Sequence, residues 1–282
     1  MAKTLGRYVM KQVRALVLTG FGLNCDMETA RAFELSGASA QRVHINSLVA
    51  GKVDLEDFHI LVFGGGFSWG DDHGAGVIQA LKLKKHLGNE LVSFVKEGRL
   101  VMGICNGFQT LVNLGLLPGL EGDYTRRSVA LTFNDCGNFR NQWVNLRAVK
   151  DSPCVFTRGM ATVDLPVRHG EGKFVTDRET LARLVGGNQV VLRYADANGQ
   201  PARGCFPMNP NGSMDDIAGI CDPTGRIFGL MPHPEAFNHP SNHPDWPRTK
   251  EMLKRSGKTT DQGLTPGIQI FKNGVDYMRS IL

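Results

Sequence analysis

Short apolar runs alternate with longer amphipathic segments through the first half of the chain. The apolar runs show little polar alternation, as in strands that are buried on both faces. They lie at 13–19, 42–45, 59–63 and 100–104. The segments with helical spacing lie at 26–35, at 76–97 with a break near Gly88, and at 107–114. This alternation predicts an α/β fold with a mostly parallel central sheet and helices on both faces.

The pattern changes between about residue 128 and residue 230, where short β-type runs are separated by clusters of turn residues. We expect these runs to extend the sheet and to add an antiparallel segment beside it. They lie at 129–133, 143–149, 163–167, 190–194 and 227–230. A flexible lead-in at 1–12 precedes a single domain at 13–282, which also contains a Pro-rich loop at 236–248 and a closing helix at 266–281.

Composition and charge argue against several classes of function. The chain has 282 residues, a net charge of +5 and no dense basic patch interleaved with aromatic side chains, so we expect no nucleic-acid partner. It has no run of about 18 apolar residues, and the lead-in carries charges instead of an apolar segment, so we expect neither a membrane span nor a secretory signal. The six cysteines form no Cys-x-x-Cys pair, which favours free thiols in the cytoplasm.

Cys105 lies in the sequence Gly103-Ile104-Cys105-Asn106-Gly107, between an apolar strand and a helix. A Gly-x-Cys-x-Gly segment in this position is the nucleophile-elbow pattern, with cysteine in place of serine. The small flanking residues permit a sharp, strained turn. The helix that follows aims its N terminus at the sulfur, which favours the thiolate. The alternative is a buried cysteine in a glycine-rich turn, and we regard Cys105 as the candidate nucleophile.

A thiolate nucleophile needs a base, and the candidate is His233 in Pro232-His233-Pro234-Glu235, just after the last short strand. The residue before a proline favours extended geometry, and in an extended chain residues i and i+2 point to the same side. We therefore expect Glu235 to share a face with His233 and to orient its imidazole. By itself such a segment is more often a rigid surface turn, but beside a cysteine elbow the catalytic interpretation is favoured.

Backbone amides supply the third part of the predicted site, an oxyanion hole. Gly64, Gly65 and Gly66 follow a strand directly and offer N–H groups with little steric obstruction. Phe67 comes next and belongs to the same candidate set, and the amide of Asn106 is a further donor. A glycine triplet alone is more often a loop, and no Lys-Ser/Thr follows to make it a phosphate-binding loop. Together these residues predict acyl transfer through a thioester.

The order of these motifs resembles that of the class I (triad) glutamine amidotransferases. Further segments look like the glutaminase component of phosphoribosylformylglycinamidine synthase, and together they span about residue 14 to residue 282. They are 24–26 (NCD), 64–71 (GGGFSWGD), 103–109 (GICNGFQ), 169–172 (HGEG), 209–213 (NPNGS), 216–221 (DIAGIC) and 229–235 (GLMPHPE). The resemblance implies the three-layer, flavodoxin-like fold of that family, with Cys105, His233 and Glu235 as the catalytic triad.

The resemblance also implies a division of labour between subunits. This chain would hydrolyse L-glutamine to glutamate and ammonia without a cofactor of its own. A large synthetase subunit, dependent on ATP and Mg, would use the ammonia to convert formylglycinamide ribonucleotide to formylglycinamidine ribonucleotide in purine synthesis, with a small bridging subunit in some forms. For Glu171 the resemblance implies a place near the glutamine pocket or the partner face, although a charged residue between glycines in a flexible loop is often simply solvated. From its position on the first turn of the elbow helix, Gln109 either supports the active-site loop or is an interior polar group bonded within the helix. The stretch 70–76 departs from the family pattern, which leaves the role of His73 open.

Other residues have simpler interpretations. His239 and His243 are four positions apart, but Pro240 and Pro244 make a metal-binding helix implausible there, so we expect no metal site. The five cysteines outside the elbow, Cys25 among them, are expected to be small, partly buried side chains. The alternative functions are a glutaminase subunit that serves another amidation, a silent regulatory homologue, and a cysteine-dependent hydrolase or chaperone on the same sheet architecture.

Overall fold

The computed structural model describes residues 12–259 and 263–282, so only residue 12 of the predicted lead-in falls within it. Among these residues nine strands form one sheet, and a further pair forms a second. The strands of the large sheet, in spatial order, are β2 (Ser39–His44), β1 (Arg14–Thr19), β3 (Ile60–Phe63), β4 (Leu100–Ile104), β11 (Ile227–Leu230), β10 (Ile217–Cys221), β9 (Val190–Ala195), β6 (Arg140–Ala148) and β7 (Thr162–His169). The second sheet pairs β5 (Ala130–Phe133) with β8 (Glu171–Val175).

Parallel and antiparallel pairing divide the large sheet into two halves. The strands from β2 through β1, β3 and β4 to β11 run parallel to their neighbours. From β11 through β10, β9 and β6 to β7 every pairing is antiparallel. Leu16, Val17 and Leu18 of β1 are all fully buried, and because successive residues point to opposite faces, both faces of the parallel half are covered. The predicted α/β fold with an added antiparallel segment is confirmed.

The α-helices in the described residues are α1 (Asp26–Leu35), α2 (Ile45–Val49), α3 (Val77–Lys96), α4 (Asn106–Leu114), α5 (Arg178–Gly186), α6 (Trp246–Arg255) and α7 (Pro266–Ile281). α1 packs against α7, where the rings of Phe33 and Phe271 meet edge to face with their centroids 5.0 Å apart. α3 packs against α4. Of the helices in the described residues, none is both long enough and apolar enough to cross a membrane.

Local differences from the predicted elements have physical causes. The strand predicted at 42–45 is the longer β2. Several of its residues are polar and exposed, so the apolar pattern indicated only part of the strand. The break predicted near Gly88 is a kink within the single helix α3, where Leu87 has a non-helical φ of −137°. Helix α6 begins inside the predicted Pro-rich loop, because Pro247 falls in its first turn, where a missing N–H costs nothing. Helix α5 and strand β10 were not predicted.

Strand β4 lies between β3 and β11, and all three run parallel, so their carboxyl ends meet at one edge of the sheet. The register pairs Leu230 with Ile104. The glycine triplet after β3, Cys105 after β4 and the Pro-His-Pro-Glu segment after β11 therefore emerge side by side. β7 also reaches this edge, since the amide of His233 donates to Pro166 O at 2.8 Å. The antiparallel half of the sheet thus curls back toward the end of β11.

Candidate active site

Cys105 occupies a strained turn between β4 and α4. Its backbone angles are φ 52° and ψ −108°, a conformation that residues with side chains rarely adopt. Gly103 permits the turn, since a β-carbon at position 103 would lie 2.6 Å from Leu111 Cδ1 and 2.8 Å from the Gly107 carbonyl carbon. The Cys105 amide donates to Leu230 O at 2.8 Å, which ties the turn to β11. The sharp turn predicted for the elbow is present.

His233 and Glu235 form a buried pair beside the elbow. His233 Nδ1 lies 2.6 Å from Glu235 Oε1, and both side chains are at most 2% exposed. Burial alone would lower the pKa of His233, but the Glu235 carboxylate and Cys105 outweigh it and hold this pKa well above its ordinary value. The predicted extended geometry is wrong, because Pro234–Ala236 forms a 3-10 turn with Pro234 in its first position. This turn brings the carboxylate back to the ring, so the predicted contact is made by a different backbone route.

The candidate nucleophile and its base are adjacent, and the Cys105 thiol faces a backbone carbonyl of β7. The Cys105 thiol donates to Arg168 O of β7 at 3.7 Å. His233 Nε2 is buried and has no hydrogen-bond partner within the described part of the chain. Because Cys105 contributes to the raised pKa of His233, the two side chains lie within electrostatic reach of each other. Rotation of the Cys105 side chain would replace the hydrogen bond of its thiol to Arg168 O with one to the His233 imidazole.

Three of the predicted backbone donors are available. The amides of Gly65, Gly66 and Asn106 make no hydrogen bond to any described residue. Gly65 has no room for a side chain, because a β-carbon there would lie 2.6 Å from His233 Cε1. The oxyanion role predicted for Phe67 needs correction, since its amide donates to Gly22 O at 2.9 Å and is already used. Phe67 offers its ring instead, which is 43% exposed.

Asn106 and Gln109, on the first turn of α4, link the elbow to β8. The Asn106 side chain donates to Asp71 Oδ1 at 3.0 Å and to Gln109 Oε1 at 3.3 Å. Gln109 Nε2 in turn donates to Glu171 O. Glu171 is the first residue of β8, whereas its flanking glycines predicted a flexible loop. Its carboxylate accepts a hydrogen bond from the amide of Ala75 at 3.3 Å, and its backbone is held by Gln109 of the elbow helix.

An open cavity of about 450 Å³ lies beside this network. Its wall includes the carboxylates of Asp71 and Glu171 and the rings of Phe67, Phe133 and Phe139. Burial and the nearby Glu171 carboxylate raise the pKa of Asp71 to about 6, against the effect of a hydrogen bond from an amide side chain. A cavity with anionic and aromatic walls suits a small ligand that carries a cationic group.

Two of the family-like segments, HGEG and NPNGS, hold β8 in place. Asn134 Oδ1 accepts a hydrogen bond from the amide of Gly172 at 3.1 Å and lies 3.1 Å from His169 Nδ1. Asn211 Nδ2 donates to Gly172 O at 2.9 Å. Burial and the charge of His233 lower the pKa of His169 to about 3, so this imidazole is neutral near pH 7 and its Nδ1–H donates to Asn134. Both segments therefore have a structural role at the wall of the site.

Cys25 belongs to the site, although the sequence alone did not single it out. It precedes α1, it is 8% exposed, and its sulfur lies 3.9 Å from His233 Nδ1. Its thiol donates to Asn24 Oδ1 at 3.3 Å, and burial raises its pKa despite the opposing effect of the His233 hydrogen bond. Cys25 is a small, buried side chain, as expected, and the structure adds its position beside His233. A contact across 208 positions leaves no local signal, and the NCD segment of the family-like pattern was the one hint available.

Comparison with known proteins identifies the family. The family model of the CobB/CobQ-like glutamine amidotransferase domain matches residues 12–278. The chain belongs to this amidotransferase family. A family relative from Methanococcus maripaludis, phosphoribosylformylglycinamidine synthase subunit PurQ, is 46% identical over 264 residues, which cover 94% of this chain and 97% of the relative. The PurQ subunit from Dehalococcoides mccartyi is 44% identical over 272 residues, which cover 96% of this chain and 100% of the relative.

Solved structures of amidotransferases share the fold. A chain in the structure of PurLQS from Thermotoga maritima matches with a TM-score of 0.67 and 28% identity, over 95% of this chain and 99% of that chain. A second glutamine amidotransferase from Thermotoga maritima matches with a TM-score of 0.52 over the same shares of the two chains, and its 17% identity supports likeness of fold alone. The predicted three-layer amidotransferase fold is confirmed by these relatives.

Proposed function

We propose that the chain is the glutaminase of a phosphoribosylformylglycinamidine synthase. It hydrolyses L-glutamine to glutamate and ammonia, and an ATP-dependent synthetase uses the ammonia to convert formylglycinamide ribonucleotide to formylglycinamidine ribonucleotide. The observation that carries the chemistry is the 2.6 Å contact between His233 and Glu235 beside the strained Cys105 turn. The PurQ relatives, which match nearly the whole chain, support the choice of product.

The first half-reaction forms a thioester. His233 accepts the Cys105 proton at Nε2, and the thiolate attacks the side-chain amide carbon of glutamine. The carbonyl oxygen becomes an oxyanion, which the free amides of Gly65, Gly66 and Asn106 are placed to hold. Glu235 holds the imidazolium through Nδ1. When the carbon–nitrogen bond breaks, the proton on Nε2 leaves with the nitrogen as ammonia.

The second half-reaction returns the thiol. Neutral His233 takes a proton from a water molecule, and the water oxygen attacks the thioester carbon. The same amides hold the second oxyanion, the carbon–sulfur bond breaks, and His233 returns the proton to Cys105. Glutamate then leaves the site. The carboxylates of Asp71 and Glu171 in the adjacent cavity supply the negative charge that the ammonium group of glutamine requires.

The proposal includes partner subunits. A large synthetase subunit binds ATP and Mg, and a small subunit bridges it to the glutaminase in multi-subunit forms. The likeness to a chain of PurLQS from Thermotoga maritima supports an assembly of this kind. A cytoplasmic location is also part of the proposal, because all six cysteines are free thiols, as is usual in a reducing compartment.

Covalent labelling with a diazoketone analogue of glutamine tests the triad. The analogue alkylates an activated thiol in a glutamine site, and peptide mass spectrometry locates the adduct. We expect the adduct on Cys105 and labelling roughly a hundred-fold slower in His233→Ala. Cys205 is exposed and has no part in the proposed mechanism, so Cys205→Ala is the matched control and should react at the wild-type rate. An adduct on Cys25 alone, or equal rates for wild type and His233→Ala, would refute the assignment.

A coupled assay separates the proposed product from the alternatives. Wild-type chain, glutamine, ATP, formylglycinamide ribonucleotide and the synthetase subunit should together yield formylglycinamidine ribonucleotide. A chain that hydrolyses glutamine but never supports this product would serve another amidation. A silent regulatory homologue would neither hydrolyse glutamine nor react with the analogue.

A further inference from the structure

Cys25, His233 and Glu235 form a cluster of metal-ligating side chains. Their ligand atoms, a sulfur, an imidazole nitrogen and a carboxylate oxygen, all lie within 4.8 Å of one another, and all three residues are buried. Thiolate, imidazole and carboxylate are the ligands that zinc takes in proteins. No metal site was expected from the sequence, in which Cys25 and His233 are 208 positions apart and show no ligand spacing.

We propose that Cys25, His233 and Glu235 bind a thiophilic divalent cation, best matched by Zn²⁺, and that the bound ion switches the glutaminase off. Tetrahedral bonds of about 2.0 to 2.3 Å place zinc ligand atoms roughly 3.3 to 3.7 Å apart. Cys25 Sγ lies 3.9 Å from His233 Nδ1, and Glu235 Oε1 lies 2.6 Å from the same nitrogen. Relative to His233 Nδ1, the sulfur has to approach by a few tenths of an ångström and the carboxylate has to withdraw by less than about 1 Å, and the sulfur and the carboxylate lie within 4.8 Å of each other.

The backbone around Cys25 is already fixed for this geometry. The Cys25 amide donates to Gly65 O at 3.4 Å, and Thr29 Oγ1 donates to Cys25 O at 2.6 Å. Gly65 leaves the space between the ligands open, since a β-carbon there would lie 2.6 Å from His233 Cε1 and 3.3 Å from Cys25 Sγ. At Cys25 the thiol turns away from Asn24 Oδ1 while the backbone stays in place. Metal binding therefore needs side-chain adjustment and no rearrangement of the chain.

Charge balance favours a divalent ion in this buried position. A thiolate and a carboxylate cancel two positive charges, so the occupied site is neutral, which a buried ion requires. Glu235 Oε2 is buried and has no hydrogen-bond partner in the described residues, which leaves one carboxylate oxygen unused. On binding, the Cys25 thiol proton leaves to solvent, and the single proton of neutral His233 moves from Nδ1 to Nε2, which frees Nδ1 for the metal.

The proton on Nε2 explains the inhibition. A metal-bound imidazole carries its one remaining proton on the other nitrogen, which here is Nε2. Nε2 is the atom that must accept the Cys105 proton, so the base is blocked while Cys105 itself stays unligated. This consequence rests on the proposed catalytic role of His233, whereas binding of the ion does not.

Zinc titration of the full, reduced, metal-free chain tests the binding, with a chelating dye as competitor. We expect one zinc per chain and an affinity at least roughly ten-fold weaker in Cys25→Ser, because one ligand is lost. Cys205→Ser, which changes an exposed thiol, is the matched control and should bind as the wild type does. Cys105→Ser should also keep the affinity. Absence of a stoichiometric site in the wild type, or undiminished affinity in Cys25→Ser, would overturn the proposal.

Cobalt absorption identifies the sulfur ligand even if Cys25→Ser folds poorly. Co²⁺ bound to a thiolate gives a charge-transfer band, which we expect in the wild type and undiminished in Cys105→Ser. Loss of the band in Cys105→Ser would place the metal on the nucleophile and overturn the assignment of Cys25.

Glutamine hydrolysis, measured with and without zinc, tests the inhibition separately. The zinc concentration that halves the rate should rise at least roughly ten-fold in Cys25→Ser, relative to the metal-free rate of that variant. A chelator should restore the wild-type rate. Stoichiometric zinc binding without inhibition would overturn the switch and the proposed role of His233 together, but would leave the metal site intact.

Discussion

Gly107 lies so close to the end of β3 that a β-carbon at position 107 would fall 1.9 Å from the carbonyl oxygen of Phe63. The contact joins two backbones, so no side-chain rotation can relieve it. It sets the distance between the elbow helix and the glycine triplet that follows Phe63. Gly107 therefore fixes the nucleophile relative to its oxyanion donors.

Replacing Gly107 by alanine should damage both stability and catalysis. The added methyl group forces α4 away from β3, so we expect Gly107→Ala to lower the free energy of unfolding by about 1–3 kcal/mol and to abolish most glutamine hydrolysis. Urea unfolding and a steady-state assay measure the two effects. Gly186→Ala is the control, because a β-carbon there meets no atom within 4 Å, and it should change stability by less than about 1 kcal/mol. Equal effects of the two substitutions would contradict the packing argument.

Removing the charge of Glu235 should affect catalysis through His233. Glu235→Gln keeps the shape but leaves the imidazolium without a carboxylate, so we expect kcat to fall roughly 10²- to 10⁴-fold with little change in KM. Because Glu235 raises the pKa of His233, the acid limb of the pH–rate profile should move to lower pH in the variant. Glu251→Gln, which alters an exposed pair with Arg255, should leave both the rate and the profile unchanged. An unshifted acid limb in Glu235→Gln would show that the limb belongs to another group.

Asp71 should make stability depend on pH in a defined direction. Its pKa is raised from 3.8 to about 6, so between these values the folded protein binds more protons than the unfolded chain, and the free energy of unfolding falls as pH rises. Asp71→Asn removes this pH-dependent fall in the free energy of unfolding. We expect the variant to match the wild type near the low end of that range and to gain relative stability above pH 6. Denaturant unfolding at several pH values measures the difference.

Asp177 supplies a control of opposite sign. Hydrogen bonds from Thr180 lower its pKa, so its contribution to stability is present above 3.8 and is lost as pH falls through the folded-state value. Asp177→Asn should therefore lose relative stability toward neutral pH, where Asp71→Asn gains it. A common trend in both variants would indicate an effect of net charge instead of these local contacts.

The isolated chain should hydrolyse glutamine slowly. The Cys105 thiol donates to Arg168 O, and His233 Nε2 lacks a hydrogen-bond partner among the described residues, so the pair must close before proton transfer. We expect a rate increase of at least roughly ten-fold when the synthetase subunit and its ribonucleotide substrate are added, and labelling of Cys105 to accelerate in parallel. Full activity in the isolated chain would show that the pair closes without a partner.

The main features of the site could be predicted because each follows a strand of the parallel half. The glycine triplet, Gly-x-Cys-x-Gly and Pro-His-Pro-Glu each come directly after an apolar run. The local sequence is therefore enough to place each segment at the end of a strand. The order of the strands then places Cys105 between the other two segments. The contact of His233 with Glu235 was predicted for the wrong reason, because the proline started a 3-10 turn where an extended chain was expected.

The features that were missed depend on long-range packing. Cys25 reaches His233 because β1 and β11 lie in one sheet, and apart from the family-like NCD segment nothing near residue 25 signals the contact. Glu171 joins a strand whose partner, β5, lies about 40 residues earlier in the chain. The amide of Phe67 pairs with Gly22, a contact that cannot be read from the glycine triplet itself. Such contacts are set by the tertiary fold and override local propensity.

The position of β11 next to β4 has a consequence for synthesis of the protein. The nucleophile leaves the ribosome roughly 130 residues before its base, which at about 5 to 20 residues per second is a delay on the order of ten seconds. During that interval β1, β3 and β4 can pair, but the place of β11 in the sheet is empty. The nascent chain therefore carries its reactive cysteine without a proton acceptor, and hydrolytic competence is acquired only after the last strand of the sheet has been made.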